Sequence, residues 1–159
     1  MPGDVVLLLG SNKGRRVRRL REGICELSRR FDILRVSRVY AGEPRGRTNQ
    51  PWFLNAAVAG TTALSPAELL AFAKEVETKA GRRSGPAWGP RELDVDIILM
   101  GDLMVREPHL VVPHAALALR RFCLMPVAEI APSAVVPPGN RTVLELLESC
   151  PDSQEVYPV

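Results

Sequence analysis

Two aspartates, Asp94 and Asp96, stand two positions apart in the otherwise apolar segment from Leu93 to Met100. The apolar residues predict a β-strand, and alternate residues of a strand point to opposite faces, so both carboxylates share one face about 7 Å apart. Two like charges repel unless a cation lies between them, and oxygen ligands without a His or Cys suit Mg²⁺ better than zinc. The pair therefore predicts a magnesium site, with two hydrated surface acids as the alternative.

The loop before this strand carries three arginines, Arg82, Arg83 and Arg91, among glycines and prolines. A guanidinium group matches the oxygens of a phosphate, and a loop of this composition can close over a substrate. A surface loop with hydrated arginines is the alternative. Because the chain contains no GxxxxGK[ST] sequence, the loop and the strand together predict a Mg-nucleotide site that is not of the Walker type.

Two histidines and a cysteine further along the chain are weaker candidates. His109, His114 and Cys123 could gather a metal ion, but their spacing matches no known zinc motif. A single histidine is more often structural than functional. We therefore expect no metal site at these three residues.

The segments that must position these residues alternate between strand and helix patterns. Strands are predicted at residues 4–9, 33–40, 52–62 and 93–100, helices at 15–31 and 65–80, a hairpin arm at 103–112, and short helices at 115–121 and 142–149. This order predicts an α+β fold with a ferredoxin-like βαββαβ core, an antiparallel sheet with helices on one face, and C-terminal additions. No linker divides the chain, so residues 1–159 are expected to form a single domain.

Composition limits the kind of protein. The chain has 159 residues, 46% of them hydrophobic, and a net charge of +3. No apolar run reaches the length of a membrane span, the N-terminus lacks a signal-peptide pattern, and three widely spaced cysteines form no disulfide framework. These features predict a reduced, cytoplasmic, globular protein.

A basic block at residues 13–47 has a local charge of +8. It could bind nucleic acid, or it could be the solvated face of a helix. Glu22 and Glu26 offset the arginines, and the predicted sheet lacks the aromatic run of RNA-binding sheets. We therefore favour the solvated helix and keep a nucleic-acid module as the alternative function.

The run Gly89-Pro90-Arg91-x-x-Asp94-x-Asp96-Ile97 resembles the signature of the 6-hydroxymethyl-7,8-dihydropterin pyrophosphokinase family. Seven further segments agree with that family in order and spacing, so the resemblance spans about residues 6–135. They are Gly10-Ser11-Asn12, Glu43-Pro44, Gln50-Pro51-x-Phe53-Leu54-Asn55-Ala56, Glu77 with Gly81-Arg82, Pro113-His114, Arg120-x-Phe122 and Glu129-Ile130-Ala131-Pro132.

The resemblance implies an enzyme that transfers the β,γ-pyrophosphoryl group of ATP to the hydroxymethyl oxygen of the pterin and releases AMP. It implies that Asp94 and Asp96 hold two Mg²⁺ ions, and that Arg82 and Arg91 act with them as catalytic residues by neutralising phosphate charge. The residues expected to bind ATP are Glu77, Arg82, Arg91, Ile97, His114 and Arg120.

The same resemblance assigns a pterin site. Phe53 and Phe122 would lie on the two faces of the flat ring, the Asn55 amide would bind its amino-pyrimidinone edge, and Trp88 would cover the pocket. Core packing is the alternative for the two phenylalanines. The residues expected to bind the pterin are Gly42, Glu43, Pro44, Arg45, Phe53, Asn55, Trp88, Asp94 and Phe122.

Several positions depart from the family pattern. Ser84 stands where many members have a second loop arginine, for which Arg83 is a candidate substitute, and Gly42 and Arg45 replace a threonine and an apolar residue. A non-catalytic nucleotide-binding relative is therefore a third reading. The residues do not single out a general base: Asp96, a metal-bound water and no protein base are all compatible with them. We expect a monomer whose partners are ATP and the pterin, without nucleic acid or membrane.

Overall fold

The computed structural model describes residues 4–43, 51–80 and 92–159. The strands are β1 (Val5–Ser11), β2 (Asp32–Val36), β3 (Tyr40–Gly42), β4 (Phe53–Thr61), β5 (Asp94–Met100), β6 (Val105–Glu107), β7 (Leu110–Val112) and β8 (Val156–Pro158). The helices are α1 (Arg16–Leu27), α2 (Pro66–Lys79), α3 (Arg121–Ile130) and α4 (Val143–Glu148). None of these helices is long and apolar enough to cross a membrane.

Six strands form one antiparallel sheet in the order β5-β1-β4-β3-β8, and β2 also pairs with β4. The two central strands, β1 and β4, are almost wholly apolar, and every residue of β1 is buried. Such a continuous apolar run is typical of a strand that is covered on both faces. The short strands β6 and β7 form a separate hairpin.

Two layers of helices cover the sheet. On what we call the first face, α1 and α2 pack against one set of strand residues, and on the second face α3 and α4 pack against the alternate set. The first-face core includes Leu7, Leu9, Val95, Ile97, Leu20, Leu27, Leu69 and Phe72. The second-face core includes Val6, Leu8, Ala57, Ile98, Leu124, Val127 and Val143.

Local sequence explains where α2 begins and why α1 lies close to the sheet. The Ser65 hydroxyl accepts a hydrogen bond from the Glu68 amide at 3.2 Å, and the Glu68 carboxylate accepts one from the Ser65 amide at 2.8 Å. This capping box satisfies amides that a helix start leaves unpaired. In α1, a Cβ atom at Gly23 would lie within 3 Å of the side chains of Leu9 and Leu93, so only glycine permits this close packing.

The structure confirms the mixed α/β content and the antiparallel sheet, and it corrects several predicted elements. The strand predicted at 33–40 is two strands, β2 and β3, and the helix predicted at 15–31 ends at Leu27. Residues 115–119 form turns, whereas a helix that was not predicted, α3, runs from Arg121 to Ile130 and includes Pro126. Because α3 and α4 cover the second face, the helices do not lie on one face only.

The arginines of α1 are engaged in ion pairs as well as being exposed. Arg18 and Arg19 both bond Glu22, at 3.2 and 2.9 Å, and Arg19 also reaches Glu92 at 3.3 Å. Arg16 donates to the Trp52 carbonyl at 2.6 Å. These acids offset much of the basic charge of α1, as the sequence predicts for Glu22.

Candidate active site

One row of paired residues crosses the sheet at the end where β5 begins. Asp94 on β5 is paired with Gly10 on β1, Gly10 with Asn55 on β4, and Asn55 with Tyr40 on β3. Directly paired residues of neighbouring antiparallel strands place their side chains on the same face. The row therefore brings an acid and an amide that are distant in sequence to one edge of the second face.

The two aspartates share that face, as their spacing predicts. Asp94 and Asp96 are partly exposed, whereas Val95 and Ile97 between and after them are 3% and 4% exposed in the first-face core. The carboxylate of Asp96 lies near the α3 residue Cys123. Burial, and next the Asp96 charge, raise the pKa of the Cys123 thiol far above its ordinary value, so this cysteine is a protonated core residue.

The Ile97 side chain lies on the opposite face of β5 from Asp94 and Asp96, on the side of α2 and Glu77. Its side chain points to the first face and packs in the core with α1 and α2. The alternation of a strand places it opposite to Asp96. A contact between the Ile97 side chain and a ligand on the second face is therefore excluded by the geometry.

Asn55 is buried at the centre of the row. The residue is only 3% exposed, and the Nδ2 atom of its side chain has no hydrogen-bond partner among the described residues. A Cβ atom on Gly10 would lie 2.6 Å from Asn55 Oδ1, and one on Gly42 would lie 3.9 Å from Asn55 Nδ2. The amide thus sits over two glycines, and it presents a donor whose burial is costly unless a ligand accepts a hydrogen bond from it.

The two predicted aromatic residues adjoin this amide. Phe53 precedes Asn55 by two positions on β4, and its Cδ1 would lie 3.5 Å from a Cβ on Gly10. Phe122, in the first turn of α3, has its Cβ 3.4 Å from the position of a Cβ on Gly42. Both residues are partly exposed, and Phe122 also packs against the second-face core.

Arg120 lies beside Phe122 and is held by the C-terminal part of the chain. Its guanidinium carbon is 4.8 Å from the centre of the Phe122 ring. Its Nε donates to Asp152 Oδ2 at 3.2 Å, and its side chain is only 12% exposed. Arg120 thus lies beside Phe122 with an acidic partner that the sequence does not indicate, and its predicted part in ATP binding stays a prediction.

Glu77 and His114 lie beside the outer edge of β5. Glu77 on α2 is 2% exposed, and its Oε2 accepts a hydrogen bond from the Val95 amide at 2.8 Å, between the two aspartates. The amide of His114 donates to the Ile98 carbonyl at 3.0 Å, and its Nδ1 accepts from the Ala116 amide at 3.0 Å. With Nδ1 accepting, the neutral His114 ring carries its proton on Nε2, where it can donate to an anion.

The donor set of the acidic pair fits magnesium. Asp94 and Asp96 supply oxygen ligands alone, which is the chemistry that Mg²⁺ prefers. Within residues 4–43, 51–80 and 92–159 no three His, Cys, Asp or Glu side chains gather as a metal site. His109, His114 and Cys123 therefore do not form one.

Part of the predicted site lies outside the described residues. These positions are Pro44 and Arg45 of the predicted pterin loop, and Arg82, Arg83, Ser84, Trp88 and Arg91 of the arginine-rich loop. Glu43 is the last described residue before the first gap, and it is exposed. Its amide donates to the Glu155 carbonyl at 3.2 Å.

Sequence reasoning missed two contributors that the structure brings to this region. The first is Gly10, whose lack of a side chain makes room for the Asn55 amide, a long-range contact without a local sequence signal. The second is Asp152. In the sequence Asp152 is an acidic residue outside any predicted helix and is followed by polar residues. This pattern is too common to indicate a role.

These features define a mixed α/β protein with an acidic pair suited to Mg²⁺ and a buried amide beside it on one face of an antiparallel sheet. The sequence model of the 7,8-dihydro-6-hydroxymethylpterin-pyrophosphokinase (HPPK) family matches residues 6–132. The chain therefore belongs to this family of enzymes.

Relatives of similar length support the assignment. The chain is 41% identical over 133 residues to the 2-amino-4-hydroxy-6-hydroxymethyldihydropteridine pyrophosphokinase of Aquifex aeolicus, covering 84% of this chain and 83% of that protein. It is 40% identical over 141 residues to the protein of the same name from Methylorubrum extorquens, covering 87% and 88%.

Longer proteins match over only part of their length. The chain is 41% identical to the mitochondrial folate synthesis bifunctional protein of Arabidopsis thaliana, covering 83% of this chain but only 24% of that protein. The crystal structure of Plasmodium falciparum HPPK-DHPS triple mutant with pteroate superposes with a TM-score of 0.72 at 14% identity, over 93% of this chain and 43% of that one. The latter likeness concerns the fold.

Proposed function

We propose that this protein transfers the pyrophosphoryl group of ATP to the hydroxymethyl group of 6-hydroxymethyl-7,8-dihydropterin, and releases the pterin diphosphate and AMP. The observation that carries the proposal is the row Asp94–Gly10–Asn55. In it an acidic pair lies on one face of the sheet with a buried amide whose Nδ2 has no hydrogen-bond partner among the described residues. In the reaction the hydroxymethyl oxygen forms a bond to the β-phosphorus. The bond from that phosphorus to the oxygen that AMP retains breaks, and the hydroxyl proton is released.

Asn55, Phe53 and Phe122 form the pterin end of the proposed site. The unpartnered Nδ2 of Asn55 would donate to an acceptor on the ring edge, while Oδ1 accepts from a ring N–H. The two aromatic side chains would cover the ring faces, where stacking adds to burial. A flat, polar heterocycle would satisfy the buried amide and cover the partly exposed aromatic side chains together, which supports this class of ligand over a purely apolar one.

Asp94 and Asp96 would hold Mg²⁺, and we propose two ions. Bound magnesium would neutralise the triphosphate and orient the oxygens that attack and leave. Glu77 fixes the β5 backbone between the two aspartates and thereby holds them on the second face. His114 Nε2 would donate to a phosphate oxygen, and Arg82 and Arg91 would clamp the phosphates.

The order of the elements supports a ferredoxin-like core. β1, α1, the β2/β3 pair, β4, α2 and β5 follow the βαββαβ order, and the strands adjoin as β5-β1-β4-β3. In this arrangement the row of site residues crosses the two central strands, which are the most deeply buried. We propose that this core holds the site residues in fixed positions.

A magnesium-dependent assay tests the proposed function. The protein is mixed with ATP and 6-hydroxymethyl-7,8-dihydropterin, and the adenine nucleotides are separated. We expect AMP, not ADP, to form in a pterin-dependent manner, and to disappear when EDTA removes Mg²⁺. Well-folded protein that yields no AMP would overturn the proposal, and ADP as the product would indicate a simple kinase.

A further inference from the structure

The last residues of the chain lie against the site. Residues 152–159, here called the C-terminal segment, include β8, which pairs Val156 with Gly42 of β3. Backbone bonds extend this pairing, because the Glu43 amide donates to the Glu155 carbonyl at 3.2 Å. The Glu155 amide in turn donates to the Glu43 carboxylate at 3.1 Å. The family match ends at residue 132, so it assigns no role to this segment.

Asp152 ties the C-terminal segment to the start of α3. Its Oδ2 accepts hydrogen bonds from Arg120 Nε at 3.2 Å and from the Arg121 amide at 3.0 Å, and its Oδ1 accepts one from the Gln154 amide at 3.0 Å. Arg120, the N-cap residue of α3, makes no side-chain capping bond of its own. Asp152 therefore supplies the carboxylate that a helix start favours, and pairs with Arg120 as well.

Gln154 adds a second link. Its side-chain oxygen accepts a hydrogen bond from Arg120, and its side-chain nitrogen donates to the Glu43 carbonyl. One glutamine thus connects Arg120 with Glu43, the last described residue of the predicted pterin loop. Arg120 is consequently held on two sides and is almost fully buried.

The held guanidinium lies over Phe122. The distance of 4.8 Å between the guanidinium carbon and the ring centre is within the range of a cation–π interaction. Phe122 in turn packs against Gly42, whose neighbours include the Asn55 amide and Val156 of the C-terminal segment. A continuous set of contacts therefore runs from Asp152 through Arg120 and Phe122 to the proposed pterin site.

We propose that Asp152 and Gln154 are positioning residues that hold Arg120 over Phe122 and so preorganise the pterin end of the site. This inference rests on the proposed function. Arg120 then serves the pterin pocket through Phe122, and its charge is already offset by Asp152, which disfavours a role as a phosphate ligand. Because the pterin contacts are made before and during the reaction alike, loss of this positioning raises KM for the pterin and leaves kcat unchanged.

The test compares Asp152→Ala, Asp152→Asn and Gln154→Ala with the wild-type protein. We expect KM for the pterin to rise roughly tenfold in Asp152→Ala, as for the loss of a charge-assisted hydrogen bond, with kcat and the ATP KM within about twofold. Asp152→Asn retains one acceptor and should lie between Asp152→Ala and wild type, and Gln154→Ala should show a smaller rise in the same parameter. Pterin binding measured without ATP should weaken by the same factors.

Asp4→Asn is the matched control. Asp4 pairs with Arg35 near the opposite end of the sheet, and this change should leave both KM values unchanged. A purely structural role of Asp152 would lower kcat through a smaller folded fraction at constant pterin KM, and that result would overturn the inference. A changed ATP KM with an unchanged pterin KM would also overturn it. If wild-type protein forms no AMP the proposed function fails instead, and direct pterin binding then decides the inference.

Discussion

The two faces of the sheet use the same strands for different purposes. On the first face, Leu7, Val95 and Ile97 are buried against α1 and α2. On the second face the intervening positions of β5 are Asp94 and Asp96, which are partly exposed. Because neighbouring residues of a strand point in opposite directions, each site residue is anchored by the core residue next to it. Changes at the partly exposed site residues of the second face should therefore reduce activity, whereas changes at the buried residues of the first face should reduce stability.

The largest effect is expected for Asp96→Asn. Removing one charge from the proposed metal site should lower kcat on the order of 10³-fold, at the upper end of what one preorganised electrostatic contact contributes. The folded state should be retained, because Asp96 is not part of the core. Steady-state kinetics and thermal unfolding measure the two properties separately.

Asp102→Asn is the control for this change. Asp102 lies in the turn just after β5, at the other end of the strand, and it is exposed. The same chemical substitution there should alter kcat less than twofold. Near-wild-type turnover of Asp96→Asn would refute the assignment of the acidic pair.

The opposite result is expected for Leu7→Ala on the first face. Leu7 is 0% exposed, and its truncation leaves a cavity between the sheet and the helices. We expect the free energy of unfolding to fall by about 2–5 kcal/mol, as measured by urea denaturation. The kcat per folded molecule should not change.

Leu34→Ala provides the comparison, since Leu34 on β2 is 59% exposed. Its free energy of unfolding should stay within about 0.5 kcal/mol of wild type. If folded Leu7→Ala shows a decrease in kcat as large as that of Asp96→Asn, the division between the two faces does not hold.

A smaller effect is expected for Gly10→Ala, which tests the contact between the strands of the row. A Cβ atom would lie 2.6 Å from Asn55 Oδ1, so the amide must move. We expect KM for the pterin to rise roughly tenfold, equivalent to one misplaced hydrogen bond, with little change in the ATP KM. Gly139→Ala should be neutral in both parameters, because a Cβ atom there would lie 3.9 Å from the Val136 carbonyl oxygen, an ordinary contact distance. An unchanged pterin KM in Gly10→Ala would argue against Asn55 as a ligand-binding group.

Local patterns in the sequence were sufficient for part of this site. The alternation around Asp94 and Asp96 predicted their common face, and Ser65 with Glu68 predicted the start of α2, because both depend on residues within a few positions of one another. The family resemblance named Asn55, Phe53 and Phe122, and the structure brings these three together around Gly10 and Gly42.

The remaining features depend on contacts that local patterns do not contain. Asp152 meets Arg120 from 32 positions away, and β8 is a strand of three residues that ends on a proline. A contact over that distance leaves no local signal, and a strand of three residues is too short to show the alternation on which strand prediction rests. Helix α3 contains Pro126, a residue that disfavours a helix interior, and the burial of Leu124 and Val127 on the second face stabilises the helix nonetheless.

The smallest effect concerns pH and an ion pair at the rim of the second face. Burial raises the pKa of Glu129, but the Tyr40 hydroxyl, the Arg38 amide and the Arg38 guanidinium lower it more, so the net pKa lies below its ordinary value of 4.5. A carboxylate with a lowered pKa in the folded state stabilises the protein above its unfolded pKa, and this contribution is lost as pH falls through the folded value. At pH 7 the free energy of unfolding of the wild-type protein should exceed that of Glu129→Gln by less than about 1 kcal/mol, because the Arg38–Glu129 ion pair is partly exposed.

Urea denaturation between pH 7 and pH 3 checks this expectation and distinguishes the two faces once more. The difference between wild type and Glu129→Gln should be constant down to about the ordinary glutamate pKa and shrink below it. The decrease in the free energy of unfolding caused by Leu7→Ala should not become smaller as pH falls, because removing apolar side-chain atoms changes no proton binding. A stability difference for Glu129→Gln that is independent of pH would mean that Glu129 contributes through packing, as the residues of the first face do, rather than through its charge.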